Sequence, residues 1–387
     1  LNILIYDLFG SFQVNDVRYY FEKMGHKCNL IQHLVRNRYQ DEEFMSSMKK
    51  ELENADYDFI FTTNYFPVVS EVCKKHNLPY VSWVYDSPPD IPDTSSMSYN
   101  TNRIFFFSRH DYEQFKTRIG SNNIYYLPLA VNTDRLTKIK CDHHKYDCDI
   151  SFVGGLYFSD TFLSLRRIMS EEQQKFVDAV INVQLSHSGA GIIDASIDEA
   201  FTQRVCDIFL SRSPKAIQPS LEQLSFAMCC HITHIDRIGL LRLCGSKGYY
   251  TRLYTTKCSE QDQHLLADSG VNILGPVLYE EEMPQVFRCS KINLNSTTRA
   301  NRSGIPLRVV DVLGSGGFLI TNHQDEMDDF FERDTLVTYE NLNEAVELID
   351  YYMKHDDERD IISKRGYECA VSKFNYTDRL IKILDSL

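Results

Sequence analysis

Short apolar runs that end in glycine or a polar turn, each followed by a segment of helical periodicity, recur along this chain. Asn2 to Gly10 (NILIYDLFG) is the first, ahead of a helical pattern from Val14 to Gly25. DFIFTTN (Asp58 to Asn64), PYVSWVYDSPP (Pro79 to Pro89), RIFFFS (Arg103 to Ser108) and NIYYLPLAV (Asn123 to Val131) repeat the theme, with helical segments such as Asp41 to Asn54 and Val68 to His76 between them. Apolar strands alternating with helices are covered on both faces, so the pattern predicts a parallel, doubly wound α/β sheet. Ligands of such sheets bind at the carboxyl ends of the strands, which draws attention to Gly10, Ser11 and the Asp86-Ser87-Pro88-Pro89 turn.

The pattern breaks at Thr137 to Asp149 (TKIKCDHHKYDCD), a polar stretch read as a linker. Cys141, His143, His144 and Cys148 lie in it, but adjacent histidines point apart and no second ligand pair has metal-site spacing, so no metal is expected there. DISFVGGLY (Asp149 to Tyr157) restarts the strand–glycine–turn logic. Residues from about 158 to 243 lack strand alternation and read as a helical insertion. Strands return at Tyr249–Thr256, Val271–Gly275, Ser290–Asn295, Gly317–Thr321 and Thr335–Tyr339. Two domains are expected, residues 1–145 and 146–370, followed by a terminal helix in 371–387. A chain of 387 residues is too long for one comfortable core.

Charge and cysteine content exclude several classes. A formal net charge of −13 argues against nonspecific binding to nucleic acid or anionic lipid. Eleven scattered cysteines without a CxxC pair fit reduced thiols in a cytoplasmic protein better than a disulfide framework. No signal peptide and no apolar run of about 18 residues is read in the chain. Tyr and Phe are abundant, 23 of each, and most are expected in the core.

The densest chemistry lies between Lys291 and Asn322: KINLNSTTRANRSGIPLRVVDVLGSGGFLITN. An apolar strand ending at Asn295 leads into a polar loop holding Arg299, Arg302, Ser303, Gly304 and Ile305, then a short helix with Arg308 and Asp311. Guanidinium groups fork onto phosphate oxygens, glycine permits close backbone approach, and a helix N-terminus adds orphan N–H groups. Asp311, among valines, either accepts ribose hydroxyls or pairs with Arg308 one turn earlier. Gly314 to Gly317 is not a GxGxxG fingerprint, and no P-loop occurs. Asp86 after its strand reads equally as a base facing a ligand or as a turn-capping acid. Glu280–Glu282 reads as a solvated helix start. No DxD motif suggests a divalent cation, so neither metal nor cofactor is expected.

The segments DISFVGGLY, GPVLYEEEMPQVFRCSKINLN, RSGIPLRVVDVLGSGGFLITN and RDIISKRGYECAVSKFNYTDRLIKIL together resemble the CgeB-type spore-maturation glycosyltransferases of the GT-B superfamily. SWVYDSP, RIFFFSRHDYEQF and YYLPLAVNTDRL resemble the N-terminal domain usually paired with that module. The resemblance implies two Rossmann-like domains facing across a cleft, with the last helix crossing back to the first. It implies a nucleotide-sugar donor, UDP-linked by preference, held by Gly154, Gly155, Val277, Tyr279, Asn295, Arg299, Arg302, Ser303, Gly304, Ile305, Arg308 and Asp311. Asp311 stands where many retaining relatives place a ribose-binding glutamate. A second glutamate, expected eight residues earlier, is replaced by Ser303. Arg302 and Arg308 are expected to stabilise the leaving diphosphate. Gly10, Ser11 and Asp86 form the acceptor side toward a hydroxyl of a protein, glycan or polymer; Asp86 is the base if transfer inverts the anomeric centre, and the leaving phosphate takes the proton if it retains. The missing glutamate leaves a second reading open, a catalytically silent module that binds a nucleotide sugar or glycan.

Overall fold

The computed structural model describes residues 1–189, 191–212 and 218–387. The chain divides into two compact units: Leu1–Arg135 with Ser303–Val310 and Ala370–Leu387, and Leu136–Arg302 with Asp311–Cys369. Ser303–Val310 thus falls in the first unit, apart from the rest of residues 146–370.

The first unit is built on β1 (Asn2–Asp7), β2 (Lys27–Gln32), β3 (Phe59–Thr63), β4 (Tyr80–Val84), β5 (Asn102–Phe106) and β6 (Ile124–Tyr126). They form one parallel sheet in the order β2-β1-β3-β4-β5-β6. Alternate residues of each strand feed opposite faces. Leu4, Tyr6, Ile60, Tyr80, Ile104 and Phe106 join the core on one face, and Ile3, Ile5, Phe59, Phe61, Val81, Trp83 and Phe105 the core on the other. Sequence reading missed β2, a half-exposed edge strand with polar residues, and overextended β6.

The last helix, Tyr376–Leu384, buries Tyr376, Leu380 and Ile383 in that second core. Arg379 fixes its start by donating to the carbonyls of Pro128 at 2.9 Å and Lys373 at 2.6 Å. Val131 N–H donates to Phe374 O at 2.9 Å beside it.

The second unit carries β7 (Cys148–Val153), β8 (Thr251–Tyr254), β9 (Val271–Leu274), β10 (Ser290–Asn295), β11 (Leu319–Asn322) and β12 (Val337–Tyr339). They are again all parallel, in the order β12-β11-β10-β7-β8-β9. Between β7 and β8 the expected insertion is helical, running from Asp160–Ile168 to the long helix Leu221–Ser246. Capping boxes at Ser170/Gln173 and Ser220/Gln223 start two of its helices, each satisfying two otherwise orphan donors. It has its own apolar cluster, including Phe162, Val177, Phe201, Leu224 and Ile232. Among the described residues no helix is long and apolar enough to cross a membrane.

The long helix lies close to the turn before β9 because Gly245 has no side chain. A Cβ there would stand 2.3 Å from Ser269 O and 2.9 Å from Val271 Cγ2. Gly245→Ala is therefore expected to destabilise the protein by about 1–3 kcal/mol or more, read as a lower urea midpoint at unchanged slope. An unchanged midpoint would show that this contact relaxes freely.

Candidate donor site

In the second sheet the strand order reverses between β7 and β10, which is where open α/β sheets form a crevice at their carboxyl ends. Two loops leave the sheet there, Gly154–Gly155 after β7 and Ser296–Arg302 after β10. Arg237, on the Leu221–Ser246 helix and buried, ties them together. Its Nη1 donates to Gly155 O, while Nε (3.0 Å) and Nη2 donate to Ser296 O. The guanidinium also lies over the rings of Tyr157, at 4.7 Å, and Phe152, at 5.2 Å. Gly154 is close-packed, a Cβ there meeting the Phe152 ring at 3.3 Å, while Gly155 faces open space.

The neighbouring Asp236 holds the next loop. Arg299 Nε and Nη2 donate to Asp236 Oδ2 at 2.7 and 2.6 Å, with both side chains buried. Arg299 Nη1 donates to Ser188 O at 3.0 Å and Ser188 Oγ at 3.1 Å, and Arg299 N–H donates to Thr233 Oγ1 at 2.9 Å. Burial raises the Asp236 pKa, and Arg299 opposes that shift. Arg299 was expected to reach a phosphate. Its guanidinium instead pins the β10 loop to the insertion.

Arg302 is more open. Its Nη2 donates to the half-exposed Asp194 carboxylate at 2.6 Å and its Nη1 to Arg299 O at 3.1 Å. A partly solvated pair of this kind is worth only about 0–1 kcal/mol, so an anionic ligand can displace Asp194 cheaply. Asn295 is structural, its Nδ2 donating to Thr297 Oγ1 at 3.0 Å and Thr321 Oγ1 at 2.9 Å. Beyond β11, Asn322 accepts from Thr297 N–H at 2.6 Å. Asn322 Nδ2 and Gln324 Oε1 are buried without a hydrogen-bonding partner, a state that costs roughly 1–3 kcal/mol per group.

The loop after β9 brings a half-buried Val277 and a buried Tyr279, and Tyr279 Oη donates to Asp311 Oδ1 at 3.1 Å. Asp311 sits on the helix Leu307–Gly314. Its oxygen is thus oriented by a phenol, an interaction that sequence spacing did not reveal.

Four expected donor residues, Ser303, Gly304, Ile305 and Arg308, fall in the first unit. Ser303 Oγ accepts the N–H of His110 at 3.1 Å, at the start of the helix Arg109–Ile119. A Cβ on Gly304 would lie 2.6 Å from the Phe107 ring and 2.9 Å from Ser108 Cβ, so the close approach that demands glycine is to protein. Ile305 is buried. Arg308 is half-buried on its helix.

The acceptor-side residues lie at the carboxyl ends of the first sheet. Asp7 Oδ1 accepts from Gly10 N–H at 2.8 Å and Ser11 N–H at 2.9 Å, folding the loop after β1 at its own switch point. Gly10 takes a φ of +73° there, which glycine alone adopts easily. Asp86 Oδ2 accepts from Asn64 Nδ2 at 2.8 Å. The residue is exposed but borders a small recess lined with Tyr65, Val84, Pro89 and Ile91. Desolvation raises its pKa above the ordinary value, against the pull of Arg38 and Asn64.

Arg237 and Asp236 escaped sequence reading. The available signal was a charged pair in the middle of an apolar helical stretch, ITHIDRIGLL, since such charges are buried only when paired.

Residues 241–385 match a family model described as glycosyl transferase-like. No curated protein sequence matches the chain. Solved structures resemble it over nearly its full length. A glycosyltransferase from Rickettsia africae is 10% identical, with 99% of this chain and 97% of that one covered and a TM-score of 0.59. Sucrose-phosphate synthase from Thermosynechococcus elongatus is 9% identical, with 99% and 97% covered and a TM-score of 0.58. Anabaena HepE, solved with UDP-glucose, is 11% identical, with 100% of both chains covered and a TM-score of 0.55. The fold is the two-domain α/β fold of these glycosyltransferase structures, and the family match is confined to residues 241–385.

Because Arg299 is the partner of a buried carboxylate, Arg299→Ala is expected to cost about 3–5 kcal/mol of stability. Arg299→Met combined with Asp236→Leu should recover most of it. Urea denaturation reads both. A stable Arg299→Ala that merely loses nucleotide affinity would return this residue to the donor.

Proposed function

We propose that this chain is a CgeB-like glycosyltransferase that moves a sugar from a UDP-sugar to a hydroxyl acceptor on a protein, glycan or polymer. The observation that carries the reading is the switch point of the second sheet. There the glycine turn, the buried Arg237 tie and the Arg302-bearing loop converge. The family match of the C-terminal segment and the likeness to a structure holding UDP-glucose support it.

In this reading the Gly155 turn offers backbone N–H groups to the diphosphate, and Arg302 exchanges Asp194 for a phosphate oxygen. The Tyr279–Asp311 pair presents a carboxylate oxygen to the ribose hydroxyls, with Val277 beside the base. As the bond from the anomeric carbon to the phosphate oxygen breaks, negative charge grows on the departing UDP. In this mechanism Arg302 and Arg308 stabilise that charge. Asp86 takes the proton of the acceptor hydroxyl as the new glycosidic bond forms. Cationic side chains take the charge-stabilising part that a divalent ion plays elsewhere, so turnover should proceed without added Mg²⁺ or Mn²⁺.

Thermal-shift measurements across nucleoside diphosphates, without divalent ions, test donor choice. UDP at 100 times its dissociation constant should stabilise the protein by about 2.7 kcal/mol. Arg302→Ala should weaken UDP binding about 10- to 100-fold, the worth of a charge-assisted hydrogen bond. Equal binding in that variant would mean that the site is misplaced. UDP binding with no release of UDP from any UDP-sugar would favour the silent module, a reading to which the occupied Ser303 hydroxyl lends weight.

The raised pKa of Asp86 fixes a sign. A base must be ionised, so kcat/KM should fall as pH drops through that raised value, above the ordinary carboxylate value of about 4. Asp86→Asn should lower kcat about 10²- to 10⁴-fold, abolish the acid limb and leave UDP affinity unchanged. A variant that retains the limb would remove Asp86 from the chemistry.

A further inference from the structure

At the opposite edge of the second sheet from Asn295, the second unit gathers three metal-ligating side chains. Cys141, His143 and Cys289 each offer one ligand atom, and these atoms lie within 4.8 Å of one another. Cys289 ends the helix Met283–Cys289, immediately before β10. The cluster therefore lies at the amino edge of the sheet. Asn295, at the donor edge, is roughly 17 Å away at about 3.3 Å per strand residue.

The surrounding segment is docked, in contrast to the solvated linker expected from its polarity. Asp142 N–H donates to Gln285 Oε1 at 3.1 Å, and Lys145 Nζ and Tyr146 Oη each lie 2.9 Å from Glu282 Oε1. Arg288 donates to the carbonyls of Ile139, at 2.6 Å, and Leu136. Residues 136–146 are thereby held against the Met283–Cys289 helix independently of any ion. His143 Nδ1 is 2.7 Å from Asp147 Oδ1. A carboxylate on one ring nitrogen fixes the tautomer and leaves Nε2 as the donor to a metal, the usual outer partner of a metal-bound histidine.

We propose that Cys141, His143 and Cys289 bind one Zn²⁺ ion, with solvent in the fourth position and Asp147 as the outer partner of His143. Two sulfurs and an imidazole select a soft or borderline ion such as Zn²⁺ over Mg²⁺ or Ca²⁺. All eleven cysteines are free thiols, so both sulfurs are available. Binding displaces the two thiol protons and leaves the cysteines unoxidised. Cys289 is buried, but His143 is exposed and Cys141 half-buried, so the ion reaches the cluster from their side. The ion would staple the segment before β7 to the segment before β10, away from the transfer chemistry.

The full chain, reduced and stripped by chelator, is titrated with Co²⁺ as a spectroscopic probe and then with Zn²⁺. The expected result is a thiolate-to-cobalt charge-transfer band with tetrahedral visible bands, saturating at about one equivalent and erased by Zn²⁺. Cys289→Ser should lose the charge-transfer intensity, and Cys258→Ser should keep it. Should Cys289→Ser fail to fold, the exposed His143→Ala and Asp147→Asn variants carry the test. Asp147→Asn should weaken Zn²⁺ binding about 10- to 100-fold, and His143→Ala should weaken it further. The proposal is overturned by a folded, reduced protein without the charge-transfer band. It is equally overturned by wild-type Zn²⁺ affinity in His143→Ala, or by peptide mapping that finds Cys141 joined to Cys289 by a disulfide.

Discussion

The second unit depends on two adjacent charged residues in the middle of its longest helix. Asp236 and Arg237 are both buried, and neither is tolerable there alone. Asp236 takes the Arg299 guanidinium, while Arg237 takes the carbonyls of Gly155 and Ser296. One turn of helix therefore fixes the loops after β7 and β10 and the near edge of the insertion. A hydrophobic contact would permit sliding. Fork-shaped donors facing fixed oxygens do not, so the two loops are held rigidly against this helix.

Where the sequence was informative, it was because burial left a periodic mark. Ten of the twelve strands were anticipated with roughly their observed extents, since a parallel strand covered on both faces is a short apolar run. The exceptions follow from the same physics. The edge strand β2 has half-exposed residues and polar character, so its composition resembles a loop. In β6 pairing stops at Tyr126, although the apolar run continues to Val131, whose N–H goes to Phe374 instead.

Along the chain, the arginines of the candidate site carry no sign of their separate tasks. Arg299, Arg302 and Arg308 look alike along the chain, and only the partner of each decides its task. Arg299 meets a buried carboxylate, and Arg302 meets one half in solvent. Gly304 was expected to let the backbone approach an anion, but glycine does not name what approaches, and here it is Phe107. The thiol cluster shows the same limit. Cys141 and His143 are neighbours in sequence, whereas Cys289 joins them only through the docking of the Met283–Cys289 helix.

The acidic balance of the whole chain and the basic character of this edge are compatible because they act over different distances. At physiological ionic strength charges are screened within about 8 Å, so the net −13 barely opposes an anion approaching this edge. The field at the loops after β7 and β10 is set by Arg237, Arg299 and Arg302, two of them desolvated and therefore poorly screened. Asp236 neutralises Arg299, whereas Arg237 is held by carbonyl dipoles, which orient a guanidinium without cancelling its charge. A net positive centre therefore persists beneath the Gly155 turn. An anion bound at that turn is favoured by this charge.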